Sequence, residues 1–282
     1  MKNKKRSFII AITVVVIAVV IVYVFSLFPY SKKTEKSHIE ETDITVPSGS
    51  ESQVLQSTNE APSTQAFQPS TQEQTESASV EIPSELSRLL SLNNNTPEQL
   101  SGFGCKQLVT VESFGSEARI CFYELKNNEW IQNNDLSCSG FVGHNGVTEN
   151  MHEGGYATPK GLYSVGEAFY IDDKPTTGLD IFQITENTYW VDDPNSSMYN
   201  CRVEGRQKAD WNSAEHMISF RPSYDYGFVI DYNTEAVYNA GSAIFFHYSG
   251  DPTAGCVGTS TKMVLRYLAA LDKKLNPYIL IV

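Results

Sequence analysis

The sequence predicts a mostly β domain, either a sandwich or a partly closed barrel, with one main helix near its C-terminal end. Three observations carry that prediction. Short runs rich in β-branched and aromatic residues recur between turn clusters, over 107–112, 119–125, 140–143, 161–165, 189–191 and 226–232. Two runs, Gly227-Phe228-Val229-Ile230 and Ala243-Ile244-Phe245-Phe246, lack polar positions and read as central strands buried on both faces. One strong helical period stands near the end, with Val264, Tyr267, Leu268 and Leu271 at i, i+3, i+4 and i+7.

From the N-terminus, Lys2, Lys4, Lys5 and Arg6 form a basic tail (1–7) ahead of an uncharged apolar run over 8–28. About 20 helical residues cross a bilayer core, and positive charge stays cytoplasmic. We therefore expect a single-pass signal-anchor in the cytoplasmic membrane, with everything after it outside the cell membrane and facing the wall. A cleaved signal peptide is the alternative, but its apolar stretch would be shorter and would end in small residues. Residues 31–96 are dominated by Ser, Thr, Gln and Glu, too poor in apolar side chains to offset chain entropy, and read as an acidic stalk. A short amphipathic segment, 84–92, and a turn at 93–97 lead into the folded domain, 97–282. The terminal helix takes Ser260 or Thr261 as N-cap, with Lys273 and Lys274 suited to its negative end. Asn276-Pro277 stops it, and 278–282 reads as a last buried strand.

The charge divides unevenly. The chain carries 21 basic and 33 acidic side chains, a net −12, and the basic excess is confined to the membrane-proximal end. An acidic folded part excludes a nucleic-acid binder that tracks phosphates. Five cysteines, at 105, 121, 138, 201 and 256, all fall outside the membrane by this topology, where thiols tend to pair. Four can form two disulfides in three ways, leaving one over.

Chemistry concentrates in the segment 244–258. A buried strand ends in His247, and a turn-rich loop then delivers Cys256 just before the helix. A helix N-terminus favours thiolate over thiol. A nearby imidazole takes the thiol proton and returns it to a leaving amine. Gly255 permits a sharp turn in which the Gly255 and Cys256 amides face a developing oxyanion. On its own this His–Cys spacing is weak, and a disulfide cysteine beside a strand-end histidine would give the same letters.

Upstream stands Gly154-Gly155-Tyr156-Ala157-Thr158-Pro159-Lys160-Gly161-Leu162-Tyr163-Ser164-Val165. With the strand-His247 and the Thr253-Ala254-Gly255-Cys256-Val257 motif, this resembles the L,D-transpeptidase catalytic domain, the YkuD-like family of cell-wall enzymes. The stretches 141–147, 189–193 and 242–247 resemble its membrane-anchored Gram-positive subgroup. The resemblance implies a cofactor-free thiol enzyme acting on peptidoglycan stem peptides. Cys256 would be the nucleophile, attacking the third residue of a tetrapeptide and expelling D-Ala. His247 would be the general base and acid, oriented by a neighbouring oxygen that the sequence does not identify. An amine acceptor gives a 3→3 cross-link and water gives carboxypeptidase activity; carbapenem-type β-lactams are implied inhibitors. The commoner motif has His where Ala254 stands and Asn or Arg where Gly258 stands, departures that the Trp190-Val191-Asp192-Asp193 subgroup shares.

Trp190, Asp192, Asp193, Asn195, Ser197, Tyr199 and Asn200 form a polar and aromatic cluster that either lines a cleft for a peptide or builds a loop of Asx turns. We take Trp190, Asp192, Ser197 and Asn200 as candidate substrate-binding residues. His216 reads as a surface histidine. His152-Glu153 lacks the second histidine of a zinc motif, and no metal is expected. If Cys256 is the nucleophile, Cys105, Cys121, Cys138 and Cys201 are the structural set, as free or paired thiols. A non-catalytic wall-binding module on the same stalk is the competing reading.

Overall fold

The computed structural model describes residues 80–282; the expected membrane span and most of the expected stalk lie outside that range. Folded structure begins earlier than the expected boundary at residue 97. Helix α1 (Ser84–Ser91) and the short α2 (Pro97–Gly102) precede the first strand. The strands follow as β1 (Gln107–Phe114), β2 (Glu117–Lys126), β3 (Glu129–Gln132), β4 (Cys138–Phe141), β5 (Val147–Thr148), β6 (Thr158–Pro159), β7 (Gly161–Tyr170), β8 (Ile181–Gln183), β9 (Thr188–Val191), β10 (Arg202–Glu204) and β11 (Ala214–His216). Then come β12 (Tyr226–Ile230), β13 (Phe245–Tyr248), β14 (Val257–Thr259), helix α3 (Thr261–Ala270) and β15 (Pro277–Ile281).

Eight strands close on themselves in the order β1-β15-β7-β12-β13-β14-β4-β2, with β2 pairing back onto β1. Of the sandwich and barrel expected, the barrel forms, with β3 and β8 extending it. Most neighbours are antiparallel; β1/β15, β13/β14 and β7/β8 are parallel.

Period-two alternation explains the runs that are apolar throughout. Phe228, Ile230, Phe246, Val257, Ile279 and Ile281 share one core with Val264, Tyr267 and Leu268 of α3. Val229 and Phe245 point the other way, into a second core with Trp190, Met217 and Tyr224, which belong to the β9–β11 region and the turn before β12. Leu280 points out beside Leu108 and Tyr123, where Leu86, Leu89 and Leu90 of α1 cover it. The α1 helix is tied down further by Arg88 and Arg119, which both reach Glu85 and Glu112.

Ser260 caps α3, its hydroxyl accepting the Met263 N–H. The two lysines expected in the last turn of α3 lie beyond it instead, in a 3-10 turn ended by left-handed Asn276, and Lys273 pairs with Asp180.

Candidate active site

The pairing of β13 with β14 puts the expected reactive residues on one face. Phe246 pairs with Val257, and both point into the main core. Phe245, His247 and Cys256, one residue away, must therefore point to the opposite face. His247 pairs with Gly258, two residues beyond Cys256. Strand spacing and rise then separate the two Cα atoms by about 8 Å, close enough for the side chains to converge. Both line one cavity of about 360 Å³, together with Glu153, Asp192, Glu215 and Tyr224.

The His247 Nδ1 lies 2.7 Å from the carbonyl oxygen of Tyr248. A carbonyl only accepts, so Nδ1 carries the hydrogen and Nε2 keeps the free lone pair. This is the orienting oxygen that sequence could not name. Burial lowers the imidazole's pKa to about 4, so the ring is neutral at pH 7.

The Cys256 sulfur accepts the Phe245 N–H at 3.3 Å and donates to the Ala243 carbonyl at 3.3 Å. Burial, reinforced by Glu215, pushes this thiol well above its ordinary value. The helix expected to hold it ionised does not reach it. Strand β14 intervenes, and three extended residues span about 10 Å, whereas a helix dipole fades within a turn. The resting pair is a neutral thiol and a neutral imidazole.

Thr253 shapes the loop between them. Its hydroxyl accepts the Gly255 N–H at 3.2 Å and donates to the Cys256 carbonyl at 2.6 Å. Thr158, in the Thr-Pro entry to β7, accepts the Gly143 N–H and also reaches the Cys256 carbonyl. Of the two amides expected to face an oxyanion, Gly255 is thus turned to Thr253.

The polar and aromatic cluster divides. Asp192 lines the cavity, with a buried Oδ1 that has no partner among the described residues. Trp190 packs edge-on against Phe245 at 4.9 Å. Asn200 spends all its capacity internally: Oδ1 accepts from Trp190 Nε1 and the Ala243 N–H, and Nδ2 donates to the carbonyls of Tyr232 and Asn233. Ser197 is bonded to Asp210 through its amide and its hydroxyl, away from the cavity. Asp193 organises the loop through Asn195 and Asn212. The Asx-turn reading holds for most of this segment.

Sequence reading missed Glu215 and Tyr224. The Tyr224 hydroxyl donates to Glu215 Oε2 at 2.7 Å, and its ring sits edge-on to His247 at 5.1 Å. The signal for Glu215 lay beside His216. In β11 the two alternate, so His216 stacks on Tyr189 while Glu215 pairs with Trp190 and faces the cavity. The Glu215 residue keeps some exposure, but its carboxyl end is enclosed, and burial raises its pKa to about 7. All five cysteines are free thiols. Among the described residues no three metal-ligating side chains converge.

The fold and site are those of a β-barrel domain presenting a cysteine and a histidine in one cavity. The family model for the L,D-transpeptidase catalytic domain (YkuD) matches residues 123–279, more than half of the chain, and the chain belongs to that family. Comparison with curated proteins gives no match. Among solved structures, the chain is similar to the helical cell shape determining protein Pgp2 from Campylobacter jejuni at 14% identity and a TM-score of 0.35. That similarity covers 62% of this chain and 47% of Pgp2, so the chain spans about half the length of that protein.

Proposed function

We propose that the protein is a cell-wall transpeptidase that forms an acyl-enzyme on Cys256 from a peptidoglycan tetrapeptide stem, releases D-Ala and transfers the acyl group to an amine, giving a 3→3 cross-link. The observation that carries this reading is the opening into one cavity of His247, on β13, and Cys256, just before the parallel strand β14, with the imidazole tautomer set by Tyr248. Asp192 is the one member of the sequence-predicted polar set with a free polar atom on that cavity.

His247 Nε2 takes the thiol proton as sulfur attacks the stem carbonyl. The Cys256 N–H and whatever further donor the bound substrate meets stabilise the oxyanion. The tetrahedral intermediate collapses, and His247 returns the proton to the departing D-Ala amine. An acceptor amine then loses its proton to His247, attacks the thioester and regenerates the thiol. Water in place of the amine gives the L,D-carboxypeptidase outcome of the same machinery. In this reading residues 8–28 anchor the chain in the membrane, the acidic segment after them spans toward the wall, and carbapenem-type β-lactams acylate Cys256.

The test is to weigh the products of purified wall stems incubated with the protein and with Cys256→Ala. Loss of D-Ala release in the variant, with a cross-linked product only when acceptor stems are present, is expected. Full release by Cys256→Ala would end the proposal, and release without cross-linking would replace transfer with hydrolysis.

A further inference from the structure

The geometry points to Tyr224 as a further catalytic residue, a hydrogen-bond donor to the Cys256 sulfur, with Glu215 as the residue that positions it. The inference rests on Cys256 being the nucleophile and goes beyond that assignment.

A thiolate formed in this cavity is enclosed, and an unpaired buried charge is costly. Among the described residues no Lys or Arg lines the cavity, and the nearest α-helix start is a strand away. The stabilisation therefore has to come from neutral donors. One is the Phe245 N–H. The Tyr224 hydroxyl is the other: Tyr224 lines the same cavity and packs in the same apolar cluster as the sulfur, and its nearness lowers the thiol's pKa. Tyr224 is 4% exposed and its ring is fixed by Phe169, Phe220, Phe245 and His247, so the hydroxyl has little freedom to wander.

The hydroxyl owns one hydrogen and has two acceptors. In the resting state, with a thiol that needs no donor, it donates to Glu215 Oε2. When His247 takes the thiol proton, sulfur becomes the stronger acceptor and the hydroxyl turns to it. Protonated Glu215 can then donate to the phenol oxygen in place of accepting from it. The surroundings favour that protonated form. Besides Tyr224, Glu215 faces Asp192 from the loop after β9 and Glu153 from the loop before β6, both of which oppose its ionisation. No proton leaves the phenol in this scheme. The shift is a change of hydrogen-bond partner, and the thiol proton stays on His247 until the amine departs.

Packing alone does not need the hydroxyl, so Tyr224→Phe isolates it, and Glu215→Gln retains a donor of similar size. A donor to a charged group is worth about 10- to 100-fold in rate. Tyr224→Phe should lower kcat for D-Ala release by that factor with KM within about two-fold. It should also raise the pH at which Cys256 becomes alkylated by iodoacetamide, followed by peptide mass. In Glu215→Gln the decline in kcat expected above about pH 7, where Glu215 ionises, should be absent. Unchanged kcat together with an unchanged alkylation profile in Tyr224→Phe would overturn the inference. The alkylation profile reads Cys256 directly, so it stands apart from the turnover result of Cys256→Ala, which judges the proposed reaction itself.

Discussion

His247 lies on β13 and Cys256 immediately before the parallel strand β14, two residues out of register, the histidine paired with Gly258 rather than with the cysteine. The offset brings the two side chains to one face, where both line the same cavity. Cys256 lies in the second core with Phe245 and Trp190, and His247 packs on Tyr224 of that core. In the proposed reaction, the starting point is two neutral groups that exchange a proton, rather than a standing thiolate.

Burial of His247 and of Glu215 should produce opposing pH dependences of stability. Folded His247 is protonated only below about 4, whereas the unfolded side chain binds a proton below 6.5. In that window the unfolded chain holds the extra proton, so stability is lost as pH falls from 6.5 to 4. Folded Glu215 keeps its proton up to about 7 against an ordinary 4.5, so its contribution is full below 4.5 and is lost as pH rises toward 7. Each effect is worth about 3 kcal/mol, and they offset one another where they overlap. Relative to the unaltered protein, Glu215→Gln should gain stability with pH between 4.5 and 7, and His247→Gln should lose it between 4 and 6.5. Urea unfolding in half-unit pH steps measures both. Difference curves of the same sign would contradict the burial of one group or the other.

Asn200 should act on the sulfur without touching it. It holds the N–H of Ala243, whose left-handed backbone (φ 54°) aims a carbonyl at the Cys256 thiol. Asn200→Leu keeps the volume but leaves Trp190 Nε1, the Ala243 N–H and the Tyr232 carbonyl without a partner, while the Asn233 carbonyl keeps the Ala236 N–H. Each buried orphan costs about 1–3 kcal/mol, so the melting temperature should fall by several degrees. Crystallography or amide hydrogen exchange should then find the 241–244 segment loosened. A variant as stable as the parent would show that water replaces the side chain.

Thr253 closes the loop from inside. Thr253→Val removes the acceptor of the Gly255 N–H and the donor to the Cys256 carbonyl while preserving shape. D-Ala release should drop at least ten-fold with little change in KM, because the loss falls on the orientation of the cysteine. Thr253→Ser should restore most of it. Failure of serine to rescue would mean that the methyl group's packing, not the hydroxyl, matters.

The strands at 107–112, 119–125 and 226–232 were legible because period two and apolar content agree there, and Ser260 announced α3 through its capping chemistry. Cys256 and His247 were found as letters nine apart, but their shared face depends on parallel pairing of β13 with β14, which no local pattern encodes. Tyr224 comes from a 3-10 turn and Glu215 from a three-residue strand. Neither segment is long enough to show a period, so their convergence on the sulfur is purely tertiary. Asn200 misled for a related reason: a polar side chain in a polar run looks available until its partners on 232, 233 and 243 are known.

The helix α1 should count as part of the domain energetically as well as geometrically. Leu86, Leu89 and Leu90 are almost fully buried against Leu108, Tyr123, Trp130 and Leu280. Truncating a buried leucine costs about 2–5 kcal/mol, a large fraction of the 5–15 kcal/mol that typically holds a domain together. The ion pairs that accompany the helix weigh less. Arg88 and Glu85 are both exposed, and a single pair of that kind contributes about 1 kcal/mol or less. Leu89→Ala should therefore destabilise the protein by at least twice as much as Arg88→Ala in urea unfolding monitored by tryptophan fluorescence, with Trp130 reporting from the same cluster. Equal effects would mean that the Arg88–Glu112–Arg119 network, not apolar burial, fastens the helix to the barrel.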